Sequence, residues 1–288
     1  MTAAPAPAAP AASSEKGSNF FLGFLFLPKA KREALSAVYA YCRLVDDIVD
    51  DGSLSKEEAE AGLRFWREEI GRLFAGAPTH AVSRRLLAPV REFGLPKEPF
   101  LEMIRGCAMD LDKKSYASFA DLESYLRGVA CSVGELAVAI FGCRHTPAAD
   151  LKEYARLFGY AFQMINILRD VGADLEMGRV YLPEDDMKEA GYSREELLRR
   201  SAAPAFARLM KKEAARTAGF YRQARNLVDF RDRPALVPAE VMARIYEKIL
   251  AEMSRDGYRV LFKRYRVSGP GKIVCALDAW LYCHGIHL

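Results

Sequence analysis

A helix that is apolar on nearly every side, yet carries one polar strip, leaves few folds open to a chain. Between Gln163 and Asp174 the polar residues Gln163, Asn166, Asp170 and Asp174 recur in steps of three, four and four. At ~100° per residue they fall on one narrow strip of an α-helix, and Met164, Ile165, Ile167 and Leu168 cover the rest of it. A helix apolar around most of its circumference is a buried helix. Its polar strip then has to face an internal cavity, because buried carboxylates without partners are costly. Lying on the surface, the same helix would leave too much apolar area in water.

The rest of the chain supplies neighbours for such a helix. From Lys29 to Asp50 the apolar residues Ala34, Leu35, Val38, Tyr39, Cys42 and Val45 follow three- and four-residue steps, one face of a helix. The same reasoning predicts helices near residues 55–75, 81–93, 98–112, 119–142, 148–176, 193–200, 204–229 and 238–266. Gly and Pro break the pattern at Gly76-Ala77-Pro78, Gly94-Leu95-Pro96, Thr146-Pro147, Gly178 to Pro183 and Arg233-Pro234. Strand alternation is nearly absent, and neither an internal linker nor a repeat interrupts the pattern. The fold class expected is all-α: one helical bundle over residues 18–288 with a central cavity.

Residues 1–17, dominated by Ala, Pro and Ser, are too poor in large apolar groups to offset their ordering entropy and read as a disordered tail. They also lack the basic start and apolar run of a secretory signal. The run Phe20 to Pro28 is about half of the roughly 20 residues a spanning helix needs, so no transmembrane anchor is expected and peripheral bilayer contact stays open. Six cysteines without a C-x-x-C pair indicate buried thiols, a reducing, cytoplasmic compartment and no zinc. With 42 Lys and Arg against 38 Asp and Glu, the chain is only weakly basic, which argues against a polybasic nucleic-acid binder.

A second acidic cluster ends the helix 29–50: Arg43-Leu44-Val45-Asp46-Asp47-Ile48-Val49-Asp50-Asp51. Asp46 and Asp50 are one turn apart on one face, where like charges repel by a few tenths of a kcal/mol, roughly, even in an exposed helix. A hard divalent cation such as Mg²⁺ offsets that repulsion, and it needs only one or two protein carboxylates when phosphate oxygens complete its shell. Arg43 lies three and four residues before Asp46 and Asp47, within reach of a carboxylate or a phosphate. Alone, the cluster also fits a helix end facing solvent. Paired with the strip on 163–174, it suggests two acidic walls that hold Mg²⁺, with Mg²⁺ holding a diphosphate beside an apolar chamber that shields a carbocation.

These residues also carry a resemblance. Tyr39 to Asp50, Gln163 to Asp174 and Gly178-Arg179-Val180-Tyr181-Leu182-Pro183 are similar to the squalene and phytoene synthases, the head-to-head prenyl transferases, with similarity from about Ser18 to Arg266. The resemblance implies an isoprenoid-synthase fold that condenses two prenyl diphosphates through a cyclopropyl intermediate, with two or three Mg²⁺ ions. It implies metal ligation by Asp46, Asp47, Asp50, Asn166, Asp170 and Asp174. Diphosphate binding is implied for Arg43, Gln163, Asn166, Arg169, Arg179, Tyr181, Tyr246 and Arg264, and also for Ser18 and Asn19, although the histidine sometimes found just before that amino-terminal segment is missing here. Tyr125 matches a tyrosine near the reacting carbons, where a phenol can steer a proton or face a cation.

The prenyl chain is expected against Val129, Ala130, Val133 and Gly134, and against Phe158, Gly159 and Phe162 on the next helix. Small residues at Gly128, Ala130, Ser132 and Gly134 fit close helix packing equally well. The short acidic motif most resembles bacterial presqualene-diphosphate synthases of hopanoid pathways, which use farnesyl diphosphate and stop after the first half reaction. Complete squalene synthases using NADPH, and phytoene synthases using geranylgeranyl diphosphate, share the same motifs. No dinucleotide fingerprint is present, so NADPH lacks support from the sequence, though squalene synthases that use it lack that fingerprint too.

Other readings are weaker. A di-iron bundle needs Glu-x-x-His pairs, and none occurs. A noncatalytic lipid-binding or scaffold bundle would keep the cavity but has no need of acidic strips. His284 and His287 read as solvated tail residues rather than metal ligands. Downstream isoprenoid enzymes are candidate partners, and the oligomeric state is left open.

Overall fold

The computed structural model describes residues 19–50 and 54–286. Ser18, His287 and the tail expected over residues 1–17 lie outside them. Among the described residues every regular element is helical: α1 (Asn19–Phe24), α2 (Lys29–Asp50), α3 (Lys56–Phe74), α4 (Ala81–Glu92), α5 (Lys97–Asp112) and α6 (Phe119–Leu126) lead to a π-helical segment, Arg127–Cys131. There follow α7 (Ser132–Phe141), α8 (Ala148–Glu176), α9 (Glu184–Glu189), α10 (Arg194–Leu198), α11 (Pro204–Leu227), α12 (Val237–Arg255) and α13 (Gly269–Cys283). Short 3-10 turns flank α12.

The helix that carries the polar strip is the axis of the bundle. α8 packs against α11, the π segment, α7 and α12. Its buried residues, from Tyr154 through Phe158, Met164, Ile165 and Leu168 to Gly172, surround it as the sequence requires. Across the cavity α2 buries Leu35, Val38, Tyr41, Val45 and Ile48. Tyr41 and Trp66 of α3 meet edge to face at 5.4 Å, tying α2 to the outer layer of α3, α4 and α5. Helix ends carry their own instructions: Ser55 and Glu58 form a reciprocal capping box at the start of α3.

The structure departs from the sequence expectation in several places: the short helices α1 and α9 are additions to it, and three longer segments differ. The helix expected over 119–142 is interrupted by the π segment. There α5 and the chain cross so closely that a Cβ on Gly106 would stand 2.8 Å from Gly128 Cα. The helix expected over 238–266 stops at Arg255, because Gly257 and Tyr258 adopt left-handed backbone (φ 67° and 57°), which ends an α-helix. Helix α13 was not anticipated: it buries the small residues Gly271, Cys275, Ala276, Ala279 and Cys283, so no stripe of large apolar residues marks its inner face. By length and composition Phe119–Phe141 passes as a membrane-spanning helix, yet it is wedged between α5 and α8 inside the bundle.

The crossing at Gly106 and Gly128 is testable against a helical glycine with free space around it. A Cβ on Gly71 of α3 meets nothing within 4 Å. In thermal melts Gly106→Ala is expected to cost about 1–3 kcal/mol through backbone overlap, whereas Gly71→Ala should stabilise by up to ~1 kcal/mol.

Candidate active site

One cavity of about 850 Å³ runs between α2 and α8. Its polar end is built by four-residue steps at the carboxyl ends of both helices: Asp46 and Asp50 on α2, Asp170 and Asp174 on α8. All four line the same space. Burial pushes the Asp46 carboxyl up to about 7, and repulsion from Asp50 adds to it. Burial likewise pushes Asp174 up to about 8, with Asp170 as the nearest like charge. Burial and mutual repulsion thus disfavour the charged form of one carboxyl on each wall.

Arginines meet the remaining carboxylates. Arg43 donates to Asp46 at 3.0 Å and to Asp47 at 2.5 Å. Asp47 is turned toward that guanidinium and does not line the cavity, so of the expected metal ligands it alone stands off the wall. Arg179 reaches 129 residues back to donate to Asp50 at 2.6 Å and to the Val49 carbonyl at 3.0 Å. Asp170 is gripped on both sides, by Arg169 Nε at 2.9 Å and by Arg264 at 2.8 and 3.0 Å. Burial alone would raise the Asp170 carboxyl, but the two guanidinium groups outweigh it and hold it below the ordinary range. These arginines face the cavity and can exchange a carboxylate for a phosphate oxygen.

Asn166 donates to Gln163 Oε1 at 3.3 Å, which leaves its own Oδ1 buried without a hydrogen-bond partner. Tyr246 of α12 lines the cavity beside Asn166 and Arg169. Among the described residues no three His, Cys, Asp or Glu side chains stand close enough together to cage a metal ion unaided. The set nonetheless fits Mg²⁺ shared with a diphosphate: hard oxygen donors, buried carboxyls that repel one another, and an unpartnered amide oxygen on the same wall as Asp170 and Asp174. Asn19 begins α1, whose last residue, Phe24, lines the cavity.

Two tyrosines on the cavity wall, Tyr125 and Tyr181, belong to a group that sequence reasoning found only in part. Tyr125 and Tyr181 stack at 5.0 Å, and Tyr116 completes the set at 5.8 Å from Tyr181. The Tyr181 hydroxyl donates to Asp110 Oδ1 at 2.8 Å. Asp110, on α5, was missed: it follows Met109 in an ordinary-looking helix and has no acidic partner one turn away. Burial raises its carboxyl, opposed by the Tyr181 hydrogen bond and the Arg179 charge. A buried acid that holds a phenol at the cavity wall fixes that phenol's direction.

The apolar end holds every residue expected against the prenyl chain: Val129, Ala130, Val133 and Gly134 on one wall, Phe158, Gly159 and Phe162 on the other. Both readings of the small residues apply. Gly128 and Ser132 are buried in the helix crossing, where Ser132 donates to the Gly128 carbonyl, while Ala130 and Gly134 open onto the cavity. A π segment sits at this wall, as such segments often do at functional sites. His284 is exposed, stacks on Trp280 at 4.3 Å and does not line the cavity.

Comparison with known proteins agrees with this geometry. Residues 14–270 match the family model described as squalene/phytoene synthase. The chain is 35% identical over 248 residues to presqualene diphosphate synthase of Zymomonas mobilis, covering 86% of this chain and 84% of that one. It is 33% identical over 278 residues to 15-cis-phytoene synthase of Synechocystis, covering 93% and 82%. Among solved structures, squalene synthase HpnC from Alicyclobacillus acidocaldarius superposes with a TM-score of 0.73 at 32% identity, over 83% of this chain and 89% of that one. A dehydrosqualene synthase in complex with ligand superposes with a TM-score of 0.83 at 30% identity, over 94% of each chain. An all-α bundle whose cavity joins carboxylates, arginines and an apolar chamber, with these relatives, is an enzyme of the prenyl-transferase class, and the chain belongs to the squalene/phytoene synthase family.

Proposed function

We propose that the chain joins two molecules of farnesyl diphosphate head to head, releasing diphosphate and a proton and yielding presqualene diphosphate, the precursor of squalene and hopanoids. The observation that carries this reading is the continuity of the cavity: four carboxylates and their arginines at one end, an apolar chamber at the other, with Tyr125 and Tyr181 on its wall. We assign the activity to one domain spanning residues 18–288, acting in the cytoplasm where an amphiphilic product can pass to the inner face of the membrane.

Arg43, Arg169, Arg179 and Arg264 bind and orient the diphosphate groups, and Gln163, Asn166 and Tyr246 supply neutral polar contacts beside them. When Mg²⁺ is bound among Asp46, Asp50, Asn166, Asp170 and Asp174, it neutralises the charge that develops on the departing diphosphate. The donor's C1–O bond breaks, and C1 alkylates the acceptor's C2–C3 double bond. Loss of a proton from that C1 then closes the cyclopropane. The apolar walls exclude water, which would otherwise capture the cation as an alcohol. The Tyr125 hydroxyl and ring, stacked on Tyr181, stand where a proton can be steered and a cation faced.

Incubation with labelled fifteen- and twenty-carbon diphosphates and Mg²⁺, with and without NADPH, tests the substrate and the stopping point. A thirty-carbon cyclopropyl diphosphate in both conditions is the expected product. Squalene formed only with NADPH would show a complete squalene synthase, and a forty-carbon product would show a phytoene synthase, the alternative favoured by the similarity of phytoene synthases. Asp46→Asn and Asp170→Asn should each lower Mg²⁺-dependent turnover by ~100-fold or more with the fold kept, as read by product assay and circular dichroism. Unchanged turnover in both would overturn the metal assignment.

The raised carboxylates also make stability depend on pH. Asp46 and Asp174 hold their protons to about 7 and 8 in the folded chain, against ~3.9 when unfolded. The folded state therefore binds more protons, and stability from these groups is lost as pH rises from about 4 through 8. Metal-free melts should show Asp174→Asn more heat-stable than wild type at pH ~9 and little different at pH ~4. Millimolar Mg²⁺ should raise the wild-type Tm more at the higher pH, since metal competes with protons for the same oxygens.

A further inference from the structure

Helix α13 is inside out. It turns its small residues inward and leaves Ile273, Val274 and Leu277 more than half exposed, at 57%, 62% and 57%, with Trp280 at 37% on the same side. The steps 273, 274, 277 and 280 place these side chains on one helical face. Ile286 just beyond the helix is 44% exposed. A surface helix of a globular chain normally shows polar residues on this side. Nor is the face isolated: α1 packs beside α13, and Leu25 and Phe26, which follow α1, are exposed as well.

The charge around this face is one-sided. From Arg259 to Leu288 the chain carries five basic residues, of which Lys263 is paired with Asp256 and Arg264 with Asp170, leaving Arg259, Arg266 and Lys272 as the basic groups of this region, while its one acid, Asp278, is paired with Arg244 at 2.9 Å. Arg266 and Lys272 also line the cavity, so the basic edge of the apolar face is the rim of the site. We propose that this face docks on an anionic lipid bilayer, with Ile273, Val274, Leu277 and Trp280 in the headgroup–acyl boundary and the basic rim against the lipid phosphates. An apolar face with a basic border is what such a surface selects. A second copy of the chain is a poorer occupant, because a two-fold contact would bring two net-positive faces together. Resting on the prenyl-transferase reading, docking there would open the cavity rim toward the phase in which a long-chain diphosphate dissolves.

The test is flotation of the full chain with vesicles of phosphatidylcholine containing about 30% phosphatidylglycerol, against pure phosphatidylcholine. Wild type is expected to float with the anionic vesicles, less so as salt rises, and to shift its tryptophan emission to the blue. Trp280 reports that shift, since the other tryptophan, Trp66, is fully buried. The Ile273→Asp/Leu277→Asp variant alters only outward side chains, neither of which lines the cavity. It should keep its helical signal and detergent-assayed turnover while losing ~10-fold or more of its vesicle affinity. Wild type that stays unbound, or a variant that floats equally well, overturns the proposal. So does a wild-type dimer that the variant dissociates without any lipid binding in either. Turnover on the same preparations keeps the two readings apart: product without flotation removes the docking face alone, and flotation without product removes only the reaction.

Discussion

Everything about this site follows from carboxylates placed at the wrong end of two helices. The partial negative charge at a helix carboxyl terminus favours basic side chains there. Yet α2 ends in Asp46, Asp47 and Asp50, α8 ends through Asp170, Asp174 and Glu176, and neither has a basic residue in its last turn. Both helices bring those ends to one cavity. Burial first, and then repulsion between neighbouring acids, is why Asp46 and Asp174 hold their protons so far above the usual carboxylate range. Such an arrangement is tolerable only if positive charge comes from elsewhere. Arg43, Arg179 and Arg264 supply part of it, and hard divalent cations are suited to supply the remainder.

The arginines also explain how distant parts of the chain are held on one site. Arg179 follows α8 in a loop and ties itself to the end of α2, and Arg264 folds back from beyond α12 onto α8. Neither bond is worth much as a surface ion pair, but the Arg179 side chain is only 8% exposed, where an unpaired charge would be costly. Each guanidinium is thus already engaged by a carboxylate, Arg179 by Asp50 and Arg264 by Asp170. The loops carrying Arg179 and Arg264 are consequently held to the ends of α2 and α8 by these contacts.

How much of this is legible in the sequence depends on whether a residue's role is written in its own neighbourhood. Asp46, Asp50, Asp170 and Asp174 are, because a four-residue step on a helix is a local fact. Asp110 is not: its importance comes from Tyr181, 71 residues away, and nothing beside it on α5 hints at that partner. The π segment was hidden for the same reason, since it arises where Gly128 meets Gly106 of another helix. Helix α13 escaped because the usual signal was reversed, with small residues inward and large ones outward.

Chain length is the property most weakly encoded by the motifs, and helix geometry shows why. At 1.5 Å per residue, Leu35 lies ~16 Å along α2 from Asp46, and Tyr154 lies ~24 Å along α8 from Asp170. Both line the same cavity, so its far end is closed by side chains several turns from the acidic walls, among them Leu35, Tyr154 and Phe158. Those positions are free to change size without disturbing the carboxylates or their arginines. Identities of 35% and 33% to relatives named for different products are in keeping with motifs that do not specify chain length. The carboxylates stand where the helices end, and the side chains that close the cavity's apolar end stand near where they begin.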